Sequence, residues 1–160
     1  MEWIIRPIQA GDNQELASIV RTALTEFGAN KPGTVYYDDT TDHLFDLFQT
    51  AGSFYLIAEQ DGKLLGGAGI FPTAGLPEGW CELVKMYLRK EARGKGLGKE
   101  LIRRSLDRAK RIGYHTVYLE TMPELRKAVS VYEQFGFVYL PAPVGASGHF
   151  GCDVWMKKSL

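Results

Sequence analysis

The spacing of hydrophobic residues along the chain predicts an alternation of strands and helices. Residues 2–8, EWIIRPI, are rich in β-branched and aromatic residues and predict a first strand. Residues 11–13 supply a turn and a cap, after which residues 14–27 carry apolar side chains three or four positions apart, as in an amphipathic helix. Residues 41–50 predict a second, shorter helix. The apolar face of the first helix consists of Leu16, Ile19, Val20, Ala23, Leu24 and Phe27.

The rest of the chain continues this alternation. Two strand-like runs flank Asp61 and Gly62, a pair that is typical of a tight β-hairpin turn. Further strands are predicted at residues 80–88, 115–121, 137–140 and 150–157, and further helices at residues 98–112 and 123–135. The resulting order, β-α-α-β-β-β-α-β-α-β-β, predicts one α/β domain over residues 1–160 with a mixed sheet.

The composition is that of an ordinary globular protein without net charge. Lys plus Arg and Asp plus Glu number 19 each, so no global field attracts nucleic acid or an anionic membrane. No stretch approaches the roughly 20 apolar residues of a membrane span, and we find no secretory leader. The two cysteines, Cys81 and Cys152, are too few for a disulfide framework, and no Cys/His cluster has zinc spacing. We therefore expect two buried thiols, no metal and a cytoplasmic location.

The segment EARGKGLGKEL, residues 91–101, places three glycines between a predicted strand and a predicted helix. Each glycine carries an entropy cost in folding, so we infer that bare backbone is needed there. The first N–H groups of a helix have no partner within it and carry partial positive charge, and glycines let a phosphate oxygen approach them. Arg93, Lys95 and Lys99 add full charges. A tight, solvated surface turn is the alternative, but geometry and charge together favour phosphate binding.

The spacing of the glycines decides which known phosphate-binding motif this segment matches. The P-loop pattern fails because Arg93 stands where its first glycine is required, and Glu100 stands where Ser or Thr would bind magnesium. The dinucleotide pattern G-x-G-x-x-G fails from either Gly94 or Gly96. The pattern that fits is Arg-x-x-Gly-x-Gly, formed by Arg93, Gly96 and Gly98.

With this motif, residues 82–114 closely resemble the acetyl-CoA-binding core of the GCN5-related N-acetyltransferases, the GNAT superfamily. Residues 128–137, AVSVYEQFGF, resemble the family's Ala-x-x-x-Tyr-Glu-x-x-Gly-Phe segment. Over residues 80–140 the resemblance includes the sequence motifs. Over residues 1–79 it is limited to the predicted order of helices and strands. It implies the GNAT fold, an α/β architecture with a mixed central sheet of about seven strands flanked by about four helices. One departure is Leu125, where many members carry an asparagine near the cofactor.

The resemblance implies that the protein binds acetyl-CoA and transfers the acetyl group to a primary amine without a metal. By similarity, the pantetheine arm pairs with the backbone of Met86, Tyr87 and Leu88 like an added strand, and a backbone N–H near Met86 stabilises the oxyanion. The amides of the glycine loop (residues 93–99) wrap the pyrophosphate. This loop consists of Arg93, Gly94, Lys95, Gly96, Leu97, Gly98 and Lys99.

The candidate general base is Glu82, which lies eleven residues before Arg93. Histone acetyltransferases of the family carry a glutamate at this spacing. Apolar surroundings raise the pKa of a carboxyl group, which suits a base near neutral pH, whereas the alternative is an edge carboxylate paired with Lys or Arg. If no bulge interrupts this strand, alternate residues share one face of the sheet. These residues are Trp80, Glu82, Val84, Met86 and Leu88.

The candidate general acid is Tyr132, which matches the tyrosine that many members place near the cofactor sulfur. The alternative is packing, because Leu125, Ala128, Val129 and Tyr132 form a stripe at helical spacing. The presence of both Glu82 and Tyr132 argues against a second class of function, a non-catalytic acyl-CoA sensor.

The sequence indicates the residues that would bind the acceptor less clearly than those that would bind the cofactor. His149 begins the last predicted strand, whose region borders the acceptor pocket in this family, and Tyr36 and Tyr37 precede the second helix, where relatives shape specificity. Asp38 and Asp39 form either part of an acidic pocket for a cationic amine or a helix cap. With no docking appendage, a small-molecule amine is favoured over a protein N-terminus or lysine. Dimerisation through sheet edges, frequent among relatives, implies a homodimer.

Overall fold

A computed structural model describes residues 2–160 and shows the predicted order of elements. The α-helices are α1 (Asn13–Glu26), α2 (Leu44–Leu47), α3 (Leu97–Ile112) and α4 (Arg126–Gln134). The strands are β1 (Ile4–Pro7), β2 (Phe54–Gln60), β3 (Lys63–Phe71), β4 (Trp80–Leu88), β5 (Thr116–Thr121), β6 (Val138–Leu140) and β7 (Val154–Ser159). The predicted mixed sheet of seven strands with four helices is confirmed. None of the helices in this range is long and apolar enough to cross a membrane.

The strands form one sheet in the order β1-β2-β3-β4-β5-β7-β6. All neighbours are antiparallel except β4 and β5, which are parallel and are connected through α3. The predicted hairpin turn between β2 and β3 is present, and Asp61 (φ 52°) and Gly62 (φ 78°) both have the left-handed backbone that such a turn needs.

The helices cover both faces of the sheet because alternate residues of each strand point to opposite sides. Tyr55 and Ile57 of β2 pack with Leu16 and Ile19 of α1. Leu56 packs on the other side with the apolar stripe of α3. That stripe consists of Leu97, Leu101, Ile102, Leu106 and Ala109. Each buried leucine contributes about 1.5–3 kcal/mol to folding, so the sheet is held firmly from both faces.

Three elements have a boundary that differs from the prediction by three residues or more. The predicted helix 41–50 is a 3₁₀ segment, Asp39–His43, followed by the single turn of α2. The helix predicted from Pro123 begins with a 3₁₀ turn, Pro123–Leu125, before α4. The last strand starts at Val154 rather than at residue 150, because the backbone N–H of Gly151 donates to the Gly33 carbonyl (2.9 Å) instead of joining the sheet.

A bulge interrupts β4 and changes which way its side chains point. Gly67 pairs with Tyr87 and Gly69 pairs with Val84, so β4 has one extra residue at this place. Lys85 occupies the bulge with φ 54°. As a result, Val84 packs on the α1 side while Met86 and Leu88 pack on the α3 side. The uninterrupted alternation from Trp80 to Leu88 is therefore wrong, and the extra residue is the reason.

Candidate active site

The candidate site is a cavity of about 520 Å³ between the separating ends of β4 and β5. These strands pair only from Trp80–Thr116 to Glu82–Tyr118. Beyond that point they diverge, and the cavity is lined by residues 82–88 of β4 and by residues 119–122, the end of β5 and Met122. The glycine loop and α4 close the cavity on its other sides. The space is within the range of about 300–1,000 Å³ that is typical of small-molecule and cofactor sites.

One end of the cavity is formed by the glycine loop. Gly94 (φ 76°) and Gly96 (φ 88°) have left-handed backbone conformations, which other residues adopt only with strain. Gly96 is the N-cap of α3 and no side chain caps the helix there. The first N–H groups of α3 are therefore left for another partner at the cavity wall. At Gly94 and Gly96, the left-handed backbone therefore explains why the sequence has glycine.

Arg93 lines the cavity, and its guanidinium also holds the glycine loop in place. Its guanidinium donates to the carbonyl of Leu88 (2.9 Å from Nη2) and pairs with Glu26 (3.2 Å). It also lies over the ring of Phe27, 4.7 Å from the centroid. These contacts attach the loop to the end of β4 and to α1, so the charge of Arg93 is partly neutralised.

The structure brings most of the predicted cofactor residues to the cavity wall. Those that line it are Met86, Tyr87, Leu88, Arg93, Gly94, Gly96, Gly98 and Lys99. Lys95 and Leu97 do not line it. Leu97 is fully buried in the core under α3, so that only its backbone is available to a ligand.

Glu82 lies at the other end of the cavity, at the last paired position between β4 and β5. Its side chain is buried, with the residue only 4% exposed, and Oε1 accepts a hydrogen bond from the Thr73 hydroxyl (2.6 Å). Burial raises the pKa of Glu82 to about 7, although the bond from Thr73 opposes the shift. A carboxyl group with this pKa exchanges protons readily at neutral pH.

Tyr132 lines the same cavity from α4. Its ring packs edge-on against Phe137, with 5.8 Å between the centroids. Burial raises the pKa of Tyr132 to about 12, so the phenol keeps its proton at neutral pH. Tyr132 therefore both packs against Phe137 and lines the cavity.

A polar cluster surrounds Glu82 and consists of Asp38, Lys85, Glu120 and His149. His149 Nε2 lies 2.6 Å from Asp38 Oδ2, and its Nδ1 lies 3.7 Å from Glu120 Oε1. The Lys85 ammonium lies 3.7 Å from the same Asp38 oxygen. The chain thus assembles three carboxylates and two basic groups from segments far apart in sequence.

The cluster shifts the pKa values of its members in different directions. Burial opposes the charged imidazolium, but the two carboxylates outweigh it and raise the pKa of His149 to about 9. Burial lowers the pKa of Lys85, and Asp38 opposes this shift. Burial opposes the charged form of Glu120, but the hydrogen bonds from Ser147 and Tyr118 and the nearby imidazolium of His149 outweigh it and hold the pKa of Glu120 below its ordinary value. Two carboxyl groups that line one cavity, Glu82 and Glu120, therefore have pKa values shifted in opposite directions.

The predicted acceptor residues are separated by the fold. His149 lines the cavity, but Tyr36 and Tyr37 do not. Tyr36 packs against the cluster around Val20 and Leu24, whereas Tyr37 is mostly exposed. Neither role considered for Asp38 is seen: its side chain makes no cap hydrogen bond, and it does not line the cavity but binds His149, which does.

Sequence reasoning missed the roles of Lys85, Glu120 and Thr73. A signal existed for the first two, because each is a charged residue within an otherwise apolar strand. Such a residue is costly to bury unless it is paired. Nothing local identified Thr73, which follows β3 and reaches Glu82 through the tertiary fold. The expectation of two free, buried cysteines is confirmed for Cys81 and Cys152.

Comparison with known proteins gives the family to which this fold and cavity belong. The sequence profile of the Acetyltransferase (GNAT) family matches residues 16–137. The chain is 35% identical to YjgM of Escherichia coli K12, named an uncharacterized N-acetyltransferase, over 98% of this chain and 95% of YjgM. The chain therefore belongs to the GNAT family, and it is an N-acetyltransferase.

Solved structures share the same fold at lower identity. A GNAT-family acetyltransferase from Staphylococcus aureus Mu50 superposes with a TM-score of 0.87 at 16% identity, covering 99% of both chains. The PaiA N-acetyltransferase of Thermoplasma acidophilum, crystallised with coenzyme A, superposes with a TM-score of 0.77 at 20% identity, covering 100% of both chains.

Proposed function

We propose that the protein transfers an acetyl group from acetyl-CoA to the primary amine of a small molecule. The observation that carries this proposal is a single cavity lined by the glycine loop at one end and by Glu82 at the other. A phosphate-binding end and a proton-accepting end, connected within one cavity, suit a cofactor that carries its reactive thioester far from its phosphates.

The proposed cofactor site uses backbone groups. Beyond the Glu82–Tyr118 pair, the residues of β4 that face the cavity have no pairing with β5, so an extended pantetheine arm can add to this edge as a strand does. The N-terminus of α3 and the bare backbone at Gly94 and Gly96 suit the pyrophosphate. Lys99, which lines the cavity, adds a positive charge. The structural similarity to the Thermoplasma N-acetyltransferase, which was crystallised with coenzyme A, supports this assignment.

The proposed chemistry assigns one proton transfer to each of two residues. The amine nitrogen attacks the thioester carbonyl carbon, and the bond between carbon and sulfur breaks. Glu82, with a pKa of about 7, accepts the proton of the attacking nitrogen, directly or through water. Tyr132, which is protonated at neutral pH, donates a proton to the leaving sulfur and recovers it from solvent. We assign the oxyanion donor to a backbone N–H near Met86, next to the bulge.

A small acceptor is favoured by the depth of the reactive end. Glu82 is 4% exposed, and His149, the last residue of the loop of residues 141–149, lines the cavity. The loop is held by a hydrogen bond from the Val144 N–H to the Tyr118 hydroxyl (3.1 Å) and another from the Ala146 N–H to the Ala74 carbonyl (2.7 Å). A lysine on a folded protein does not reach so deep a carboxylate without moving this loop. We assign the acceptor contact to His149 rather than to Tyr36 or Tyr37.

The location and assembly of the protein remain predictions. We propose the cytoplasm, supported by the two free cysteines. A single catalytic domain over all 160 residues and a homodimer are also predictions.

The proposal is tested by measuring the transfer of labelled acetyl groups from acetyl-CoA to a panel of amines, together with CoA binding by calorimetry. Tyr132→Phe is compared with Tyr139→Phe, which changes an exposed tyrosine outside the cavity. We expect one class of small amine to be acetylated, with only Tyr132→Phe slowing turnover. Tight CoA binding without transfer to any amine would instead support the sensor function. Absence of CoA binding would contradict the cofactor site itself.

A further inference from the structure

Three side chains of metal-binding type meet in the cavity next to Glu82. The carboxylate of Glu120, the imidazole of His149 and the thiol of Cys152 have their ligating atoms within 4.8 Å of one another. Glu120 and Cys152 have no role in the proposed acetyl transfer. Oxygen, nitrogen and sulfur ligands of these kinds are those that Zn²⁺ binds in proteins.

The surroundings of His149 orient its ring for coordination. Nε2 donates to Asp38 Oδ2 at 2.6 Å, and Nδ1 points toward Glu120 Oε1 at 3.7 Å. That second distance is too long for a good hydrogen bond but suits two ligands of one ion. In many metal sites the coordinating histidine donates its other N–H to a carboxylate, which fixes the ring and strengthens the ligand. Asp38 occupies that place here.

Glu120 is also held in position before any ion arrives. Its Oε1 accepts a hydrogen bond from Ser147 Oγ (2.5 Å), and its Oε2 accepts one from the Tyr118 hydroxyl (2.7 Å). Cys152 is almost fully buried but lines the cavity together with Glu120 and His149. The three ligands therefore surround a space that opens into the cavity rather than into the core.

The distances are close to those of a tetrahedral zinc centre. Bonds of about 2.0–2.3 Å to N, O and S place neighbouring ligand atoms about 3.4–3.6 Å apart. The separation between His149 and Glu120 already agrees, and the limit of 4.8 Å leaves the Cys152 sulfur at most about 1 Å to move. Three protein ligands leave a fourth position, which the cavity can fill with water.

We propose that Glu120, His149 and Cys152 bind one Zn²⁺ ion at the acceptor end of the cavity, and that bound zinc inhibits acetyl transfer by occupying the place of the amine. On coordination the thiol proton and the Nδ1 proton of the imidazolium leave to solvent, and no redox change takes place. Zinc binding does not depend on the proposed function, whereas the inhibition rests on it. The proposal replaces the expectation, drawn from the sequence, that the protein has no metal site.

The test uses the untagged, metal-free full chain, titrated with ZnCl₂ by calorimetry and with Co²⁺ by absorption spectroscopy. We expect one equivalent of zinc to bind the wild-type protein, and a thiolate-to-cobalt charge-transfer band to appear. Cys152→Ser is expected to abolish that band, and both Cys152→Ser and Glu120→Gln to weaken zinc binding at least tenfold. Asp38→Asn, which removes the carboxylate that supports His149 and also neighbours Lys85, is expected to weaken zinc binding about tenfold.

Cys81→Ala is the matched control, because Cys81 is the other buried free thiol and lies outside the cavity. It should bind zinc and cobalt as the wild type does. Wild-type protein that binds no zinc, or that binds it equally well after both Cys152→Ser and Glu120→Gln, would overturn the proposal. Circular dichroism and thermal unfolding establish that each variant is folded.

Inhibition is measured by transfer of the labelled acetyl group, since detection of free thiol would be disturbed by zinc. We expect zinc to inhibit the wild type and Cys81→Ala in competition with the amine, and EDTA to reverse the effect. Equal inhibition of Cys152→Ser would overturn the inhibitory part. If no amine is acetylated, the calorimetric result still decides whether the zinc site exists.

Discussion

The glycine-loop end of the cavity is built from the backbone of one short stretch of chain, whereas the end around Glu82 is built from side chains of several distant segments. At the first end, Gly94 and Gly96 shape the loop and the N-terminus of α3 supplies N–H groups. At the second end, Asp38 and His149 pair across 111 positions of the sequence. Backbone conformation positions the one end, and tertiary packing positions the other.

This difference implies that substitutions at the two ends of the cavity should have different effects on cofactor binding and turnover. A change at the glycine loop alters a local conformation and should weaken binding of the cofactor. A change in the polar cluster alters charge and proton transfer, and should reduce turnover while the cofactor still binds. Four predictions test the separation, beginning with the largest effect.

Glu82→Gln should lower kcat by about 100-fold or more, because general base catalysis contributes about 10²–10⁴-fold. The affinity for CoA, measured by calorimetry, should remain within about twofold of the wild type, since the glycine loop is untouched. Glu78→Gln, a change at an exposed glutamate outside the cavity, is the control and should leave kcat unchanged. A variant at Glu82 that loses CoA binding in proportion to kcat would contradict the separation of the two ends.

The pH dependence of kcat should report the pKa of Glu82. The active form of the base is the carboxylate, so the rate should rise about tenfold per pH unit below the pKa of about 7 and level off above it. The pH dependence of CoA affinity should be the same in the wild type and in Glu82→Gln, because Gly94 and Gly96 carry no titrating group. A rate that is already independent of pH at pH 5 would remove Glu82 from the role of base.

Gly96→Ala should weaken CoA binding roughly tenfold, an effect of about 1.4 kcal/mol. It should also destabilise the fold by about 1–2 kcal/mol, because alanine at φ 88° is strained. Gly113, at the opposite end of α3, has φ 122° and no atom near an added Cβ, as is true of Gly96. Gly113→Ala should therefore destabilise the fold similarly, as measured by urea unfolding, and leave CoA affinity unchanged. Equal CoA affinity in both variants would show that the loop conformation does not serve the cofactor.

Thr73→Val should give the smallest effect and act only on the reactive end. The Thr73 hydroxyl donates to Glu82 and stabilises its carboxylate, so its loss should raise the pKa of Glu82 further above 7. The midpoint of the pH profile should move upward, lowering the rate at pH 6 about threefold with no change at high pH. A downward movement of the midpoint, measured with saturating substrates, would show that the hydroxyl does not support the ionised form.

The sequence was most informative where a short segment decides its own conformation. The hairpin at Asp61 and Gly62 and the glycine loop both depend on left-handed backbone that few residues adopt, and both were predicted at the right positions. The helical stripe of α3 and the order of the elements were also predictable, because burial of an apolar face leaves a periodic pattern.

Only the tertiary structure decided how distant residues combine. The bulge at Lys85, which reverses the side-chain direction of Met86 and Leu88, depends on pairing with β3. The start of the last strand was misplaced since Gly151 hydrogen bonds to Gly33, a partner that no local pattern reveals. By itself, the sequence determined the family, the element order and the left-handed conformation of the glycine loop, because local backbone preferences and the periodic burial of apolar residues depend on the residues of each segment. The polar cluster and the pKa of Glu82 were decided by the tertiary structure, because burial and charge pairing arise only when separate segments pack together.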